Sequence, residues 1–121
     1  MIKNIILKFA LVSLLISIGN STSFSQQKLG FFKNLKVKKM LNEGKRMIYA
    51  SDYRGALNEF RTVLSMDSSN ATANFRVAQC HFNLEKPRLG KRYALRALSL
   101  DPEVNKDVHY VLAGSYHQLG D

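Results

Sequence analysis

The chain has 121 residues, room for one modest domain. Hydrophobic residues make up 45% and charged residues 22%, which excludes a wholly disordered or collagen-like chain. Lys and Arg number 18 against 9 Asp and Glu, for a net charge of +9, and the single Cys excludes both a disulfide framework and a Cys-based zinc site.

Residues 1–25 read as a secretory signal. Lys3 supplies the positive start, an apolar run extends from Ile5 to Ile18, broken by Lys8, Ser13 and Ser17, and Ser23-Phe24-Ser25 offers small residues at an exit site before Gln26. The other reading is an uncleaved anchor, but the uninterrupted apolar core is about half of the roughly 20 residues a spanning helix needs. Removal of Lys3 and Lys8 leaves 16 basic and 9 acidic residues, a charge of +7, on a chain outside the cytoplasm. No nucleic-acid partner is expected there. An acidic protein, a glycan or an anionic envelope surface fits the charge better.

Residues 26–36 form a basic lead-in. Over 28–46 stand Lys28, Lys33, Lys36, Lys38, Lys39, Lys45 and Arg46 against Glu43 alone. The favoured reading is a solvated helix lead-in whose Phe31 and Phe32 cap the first core. The alternative is an amphipathic stretch lying on anionic lipid.

Helical stripes follow. Val37, Met40, Leu41, Gly44, Met47 and Ile48 share one face of a helix, as do Tyr53, Ala56, Leu57, Phe60, Val63 and Leu64. Leu89, Tyr93, Ala94, Ala97 and Leu98 make a later stripe, and Val108, Val111, Leu112, Ser115 and Leu119 the last. Asp52, Asn70 and Asn105 suit N-caps, Pro87 suits a first helical turn, and Asp101-Pro102 ends a helix. These signals predict helices over about 34–50, 53–66, 71–84, 87–100 and 106–119, with no sheet. A shift of 34 residues superposes Gly44 on Ala78, Phe60 on Ala94 and Asp67 on Asp101, and a third partial copy fits with one extra loop residue.

A 34-residue helix-turn-helix unit with small residues at these places resembles the tetratricopeptide repeat (TPR). The signature positions are Gly44, Ala56 and Phe60, then Ala78, Gly90, Ala94, Ala97 and Pro102, then Ala113 and Tyr116. Met40 and Asn74 replace the usual aromatic, and Ser68 the usual Pro. The resemblance implies an all-α solenoid of antiparallel helix pairs, about two and a half repeats after the signal: 37–70, 71–105 and a partial third over 106–121. The last residue falls after the first helix of a unit, so the favoured expectation is a piece of a longer chain. The alternative is that the last helix caps itself.

The signal exit, with its following Gln26-Gln27, looks like those of Bacteroidota. The run from Asp107 to His117 is similar to the third repeat of a Bacteroidota envelope family whose members continue into propeller-type repeats and an OmpA-like peptidoglycan-binding domain. Some belong to type IX secretion and gliding machinery. The resemblance implies an exported, periplasmic scaffold associated with the outer membrane.

A TPR solenoid binds extended peptides along the first helices of its units. The repeat register then places Lys38, Leu41, Lys45 and Tyr49, Thr72, Phe75, Gln79 and Asn83, and Tyr110, Gly114 and His117 in a groove. Leu41, Phe75 and Tyr110 would form an apolar stripe with Lys38 and Lys45 at one end, suiting an apolar peptide with an acidic end. The Lys/Asn set that clamps a terminal carboxylate in TPR chaperone adaptors is missing. The alternative function is a structural envelope element whose basic surface meets peptidoglycan or anionic lipid.

No enzyme is expected, and no cofactor, catalytic residue or metal site. His109 and His117 stand eight apart, wrong for a helical metal pair. Neither a Gly-x-Ser-x-Gly elbow nor a glycine-rich phosphate loop occurs. His81 reads as a packed helix residue and Cys80 as a small packing residue. Arg88, Lys91, Arg92 and Arg96 read as the solvent face of one helix.

Overall fold

The computed structural model describes the backbone of residues 2–121, and the side chains of 2–6, 8 and 22–121. Most of the apolar core expected of an export signal, within Ile5 to Ile18, therefore lies outside the described residues. The fold is all-α: α1 (Ile2–Tyr49), α2 (Tyr53–Met66), α3 (Ala71–Asn83), α4 (Pro87–Leu100) and α5 (Val108–Leu119), with no strand among the described residues. The chain divides into two units, Met1–Lys36 and Val37–Asp121.

The first helix begins far earlier than the expected residue 34. Neither Pro of the chain precedes residue 87, so no residue before it lacks a backbone N–H or is locked against the helix. Gly30 is tolerated within the helix, and a Cβ placed there would meet nothing within 4 Å. Phe31 and Phe32, expected to cap a core, are instead exposed, and their rings meet edge to face at 5.8 Å.

In the second unit the helix ends follow the sequence signals closely. The Gly55 amide donates to Asp52 Oδ1 at 2.9 Å and the Ala73 amide to Asn70 Oδ1 at 2.8 Å, capping α2 and α3. Pro87 opens α4, and α4 stops at Leu100, just before Asp101-Pro102. The expected cap Asn105 serves differently. Its Oδ1 accepts from the Asp107 amide at 2.8 Å, tightening the turn, and Asp107 takes the N-cap position without a side-chain bond. That is why α5 starts at Val108 rather than 106.

The turns repeat with the sequence. The amides of Ala50, Ser51 and Asp52 donate to the carbonyls of Arg46, Ile48 and Met47. Thirty-four residues on, those of Leu84, Glu85 and Lys86 donate to Cys80, Phe82 and His81. Ser51 and Glu85 both sit in the left-handed region, at φ 60° and 57°. A six-to-one bond across a left-handed residue is the Schellman end of a helix. Gly120 (φ 79°) repeats it, with Asp121 N–H on the Tyr116 carbonyl, 35 residues after Glu85. The additional residue matches the extra loop residue between α4 and α5. The far ends repeat as well: Asp67 N–H donates to Val63 and Asp101 N–H to Ala97.

Packing joins α2 to α3, α3 to α4, α4 to α5 and α3 to α5. One cluster gathers Ala56, Leu57, Phe60, Val77 and Cys80, with Leu41, Met47 and Ile48 of α1 packed on it. A second gathers Phe75, Ala78, Ala94, Ala97, Val108 and Val111. The two meet across α3, which is buried on several sides. Asn74, standing where an aromatic was expected, is buried there. Its Nδ2 donates to the carbonyls of Ser68 (3.2 Å) and Asn70 (2.9 Å), fastening the loop to the first turn of α3.

Of the small signature residues, Gly44, Ala56, Ala78, Gly90, Ala94 and Ala97 are buried. Ala113 is not: it is exposed, and Tyr116 is half-exposed, because α5 turns Val108, Val111 and Ser115 toward α3 and α4 instead. Gly44 is the tighter of the two described glycines of α1. A Cβ there would lie 2.6 Å from two ring atoms of fully buried Phe60. Gly44→Leu should therefore lower the thermal midpoint, at a cost of about 1–3 kcal/mol in stability. Gly30→Ala should leave the midpoint unlowered. Equal midpoints for Gly44→Leu and the parent would contradict this packing.

Candidate functional site

A cleft of 290 Å³ opens where α1, α3 and α5 come together at the start of α2. Ile48, Tyr53, Phe82 and Val111 give it apolar walls, while Gln79, Asn83, Asp107 and Tyr110 give it polar ones. Tyr110 is 71% exposed and stands edge-on to Phe82, with ring centroids 5.9 Å apart. The Phe82 ring occupies the space left by Gly114, where a Cβ would approach it to 2.6 Å. The missing side chain thus lets an edge of the ring come close to α5 and leaves Tyr110 standing beside it.

The polar groups are held by local bonds. Asn83 Nδ2 donates to the Gln79 carbonyl at 2.8 Å, one turn back along α3. Arg76 Nη1 donates to Gln79 Oε1 at 2.8 Å, while its guanidinium lies 5.0 Å from the Phe75 ring. Burial draws the Arg76 pKa below the ordinary arginine value, opposed by the nearby Tyr49 and Asp107. The carboxamides of Gln79 and Asn83 combine donors and acceptors, the equipment that recognises a peptide backbone.

Three of the sequence-predicted groove residues, Gln79, Asn83 and Tyr110, line this one cleft. Phe75 does not. It is fully buried among Ala78, Ala94, Ala97, Val108 and Val111, because the small residues of α4 leave a space that its ring fills. The expected stripe of Leu41, Phe75 and Tyr110 is therefore absent as a surface, and Leu41 itself packs against the first cluster. Lys38, Lys45, Tyr49, Thr72 and His117 are exposed outside the cleft lining, with Lys45 Nζ 5.9 Å from the Tyr49 ring centroid. Sequence reasoning missed Phe82 and Asp107. Phe82 lies one turn beyond Ala78 on α3, and that spacing could have pointed to it.

Among the described residues, further clefts lie away from this one. One of 530 Å³ is lined by Arg88, Lys91, Arg92, Leu95, Leu119 and Asp121, and Lys91 Nζ sits 4.4 Å from the Tyr116 ring centroid. Another, of 320 Å³, is lined by Arg54, Leu57, Asn58, Leu84 and Lys86. No protein-family model matches this sequence.

Cys80 and His81 are both buried on α3. Burial pushes the Cys80 thiol up to about 12, so the nucleophilic thiolate is scarce at neutral pH. His81 stacks on Tyr93 at 5.7 Å, and its buried Nδ1 has no hydrogen-bond partner. Burial lowers its pKa, and Lys86, Arg61 and Arg92 add to the shift. The unfolded chain, with an ordinary His near 6.5, then binds the proton more readily than the folded one. Stability contributed by neutral His81 is fully present above about pH 6.5 and is lost as pH falls below it. The thermal midpoint of the parent should drop more than that of His81→Phe between about pH 7.5 and pH 5.5. A constant gap between the two across that range would contradict the assignment.

Proposed function

We propose that this chain is an exported scaffold of the TPR type that binds an extended peptide or protein segment and carries out no chemistry of its own. The 34-residue recurrence of the turn bonds and left-handed residues, together with small residues at the tight helix crossings, supports the repeat reading. In this reading α1, from Val37 onward, pairs with α2, α3 pairs with α4, and α5 opens a third unit. Residues 1–25 act as the export signal, and the mature chain works in the periplasm in association with the outer membrane, as in the Bacteroidota envelope proteins it resembles.

The observation that carries the binding reading is the cleft itself. Exposed Tyr110 lines it together with the carboxamides of Gln79 and Asn83 and with apolar Phe82 and Ile48. An aromatic anchor beside adaptable hydrogen-bonding groups suits an extended backbone with apolar side chains. Arg76, next to Gln79, favours an acidic residue in the ligand.

A displayed random-peptide library selected on the whole chain tests this directly. Enriched peptides should combine apolar and acidic residues. Tyr110→Ala with Asn83→Ala should weaken a selected peptide by at least tenfold, roughly the loss expected from truncating one aromatic anchor, with an unchanged thermal midpoint. Selected peptides that bind this double variant as tightly as the parent would remove the cleft as the binding site.

A further inference from the structure

The first unit carries a surface that the cleft does not use. Within α1, Leu29, Phe31, Phe32 and Leu35 are between 55% and 72% exposed. Lys28, Lys33 and Lys36 are exposed among them. No Asp or Glu occurs before Glu43. At 3.6 residues per turn the four apolar side chains fall within an arc of about 160°. Lys28 and Lys36 fall inside that same arc, and Lys33 lies about 40° beyond its end.

We propose that residues 28–36 form a docking surface for an anionic phospholipid bilayer, with the helix lying in the interface. The interleaving of charge and apolar surface decides between a bilayer and a protein groove. A protein groove that buried the arc would bury Lys28 and Lys36 with it, at a heavy desolvation cost unless each found a partner. At a bilayer, Phe31, Phe32, Leu29 and Leu35 enter the acyl boundary while the lysine stems run upward to place their ammonium groups among the headgroup phosphates. The acid-free run means that nothing in the segment opposes a negative surface. Among the described residues no helix is long and apolar enough to cross a membrane, and the proposal requires only a helix lying along one. It is independent of the peptide reading, since neither the cleft nor its ligand enters.

Co-sedimentation of the full chain with phosphatidylcholine vesicles, and with phosphatidylcholine–phosphatidylglycerol vesicles, tests it at low salt. The chain should partition at least tenfold more onto the anionic vesicles. Lys28→Gln, Lys33→Gln and Lys36→Gln together should reduce that partitioning at least tenfold. Phe31→Ser with Phe32→Ser should reduce it several-fold. Arg88→Gln, Lys91→Gln and Arg96→Gln, which remove the same charge from α4, should change it less than twofold. Equal binding to both vesicle types, full retention by the triple lysine variant, an equal loss in the α4 variant, or pelleting with purified peptidoglycan and not with vesicles would each overturn the proposal.

Discussion

The second unit depends on one constraint: helix backbones must come close where a side chain is missing or short. Its helices α2 to α5 are only 12 to 14 residues long. Helices of that length are marginal alone in water, so their stability comes from packing. Gly44 admits the Phe60 ring, Gly114 admits Phe82, and Ala94 and Ala97 leave room for Phe75. These three crossings pair an absent or short side chain with a ring, while Gly90 makes room for the Ser115 hydroxyl. Interiors pack at crystal-like density, so such a pairing cannot be altered on one side only.

The cleft follows from the same constraint. Phe60 and Phe75 are drawn fully inside, whereas Phe82 is only half-buried and covers Gly114 with its edge. Tyr110, on the outer side of α5, then has Phe82 to lean on and no core to enter. Asn83 and Gln79 are fixed by bonds one turn back along α3 and by Arg76. The cleft is what remains of the α3 and α5 faces after the core has taken their large residues.

Much of the second unit was legible in the sequence because its punctuation is local. Asp52, Asn70, Pro87 and Asp101-Pro102 act within a turn of where they stand, and α2 and α4 begin and end where those residues direct. The turns recur with the same bonds at the 34-residue shift seen in the sequence, down to the extra residue before α5. The groove was only partly legible. A register assigns each position a face, but α3 packs against α2, α4 and α5, so its buried arc is wider than one stripe and takes in Phe75. Ala113 failed in the opposite direction, since burial depends on which neighbours a helix has and not on the signature it carries. The start of α1 was missed because no Pro before residue 87 stops a helix from extending toward the start of the chain.

The central claim is that the cleft between α3 and α5 holds an extended peptide. Backbone amide chemical shifts of the isotope-labelled full chain, followed as a library-selected peptide is added, test it most directly. The account predicts that the largest changes fall on Gln79, Asn83 and Tyr110, with Arg88, Lys91 and Leu95 on α4 little moved. Largest changes on that α4 face, with Gln79, Asn83 and Tyr110 unmoved, would contradict it.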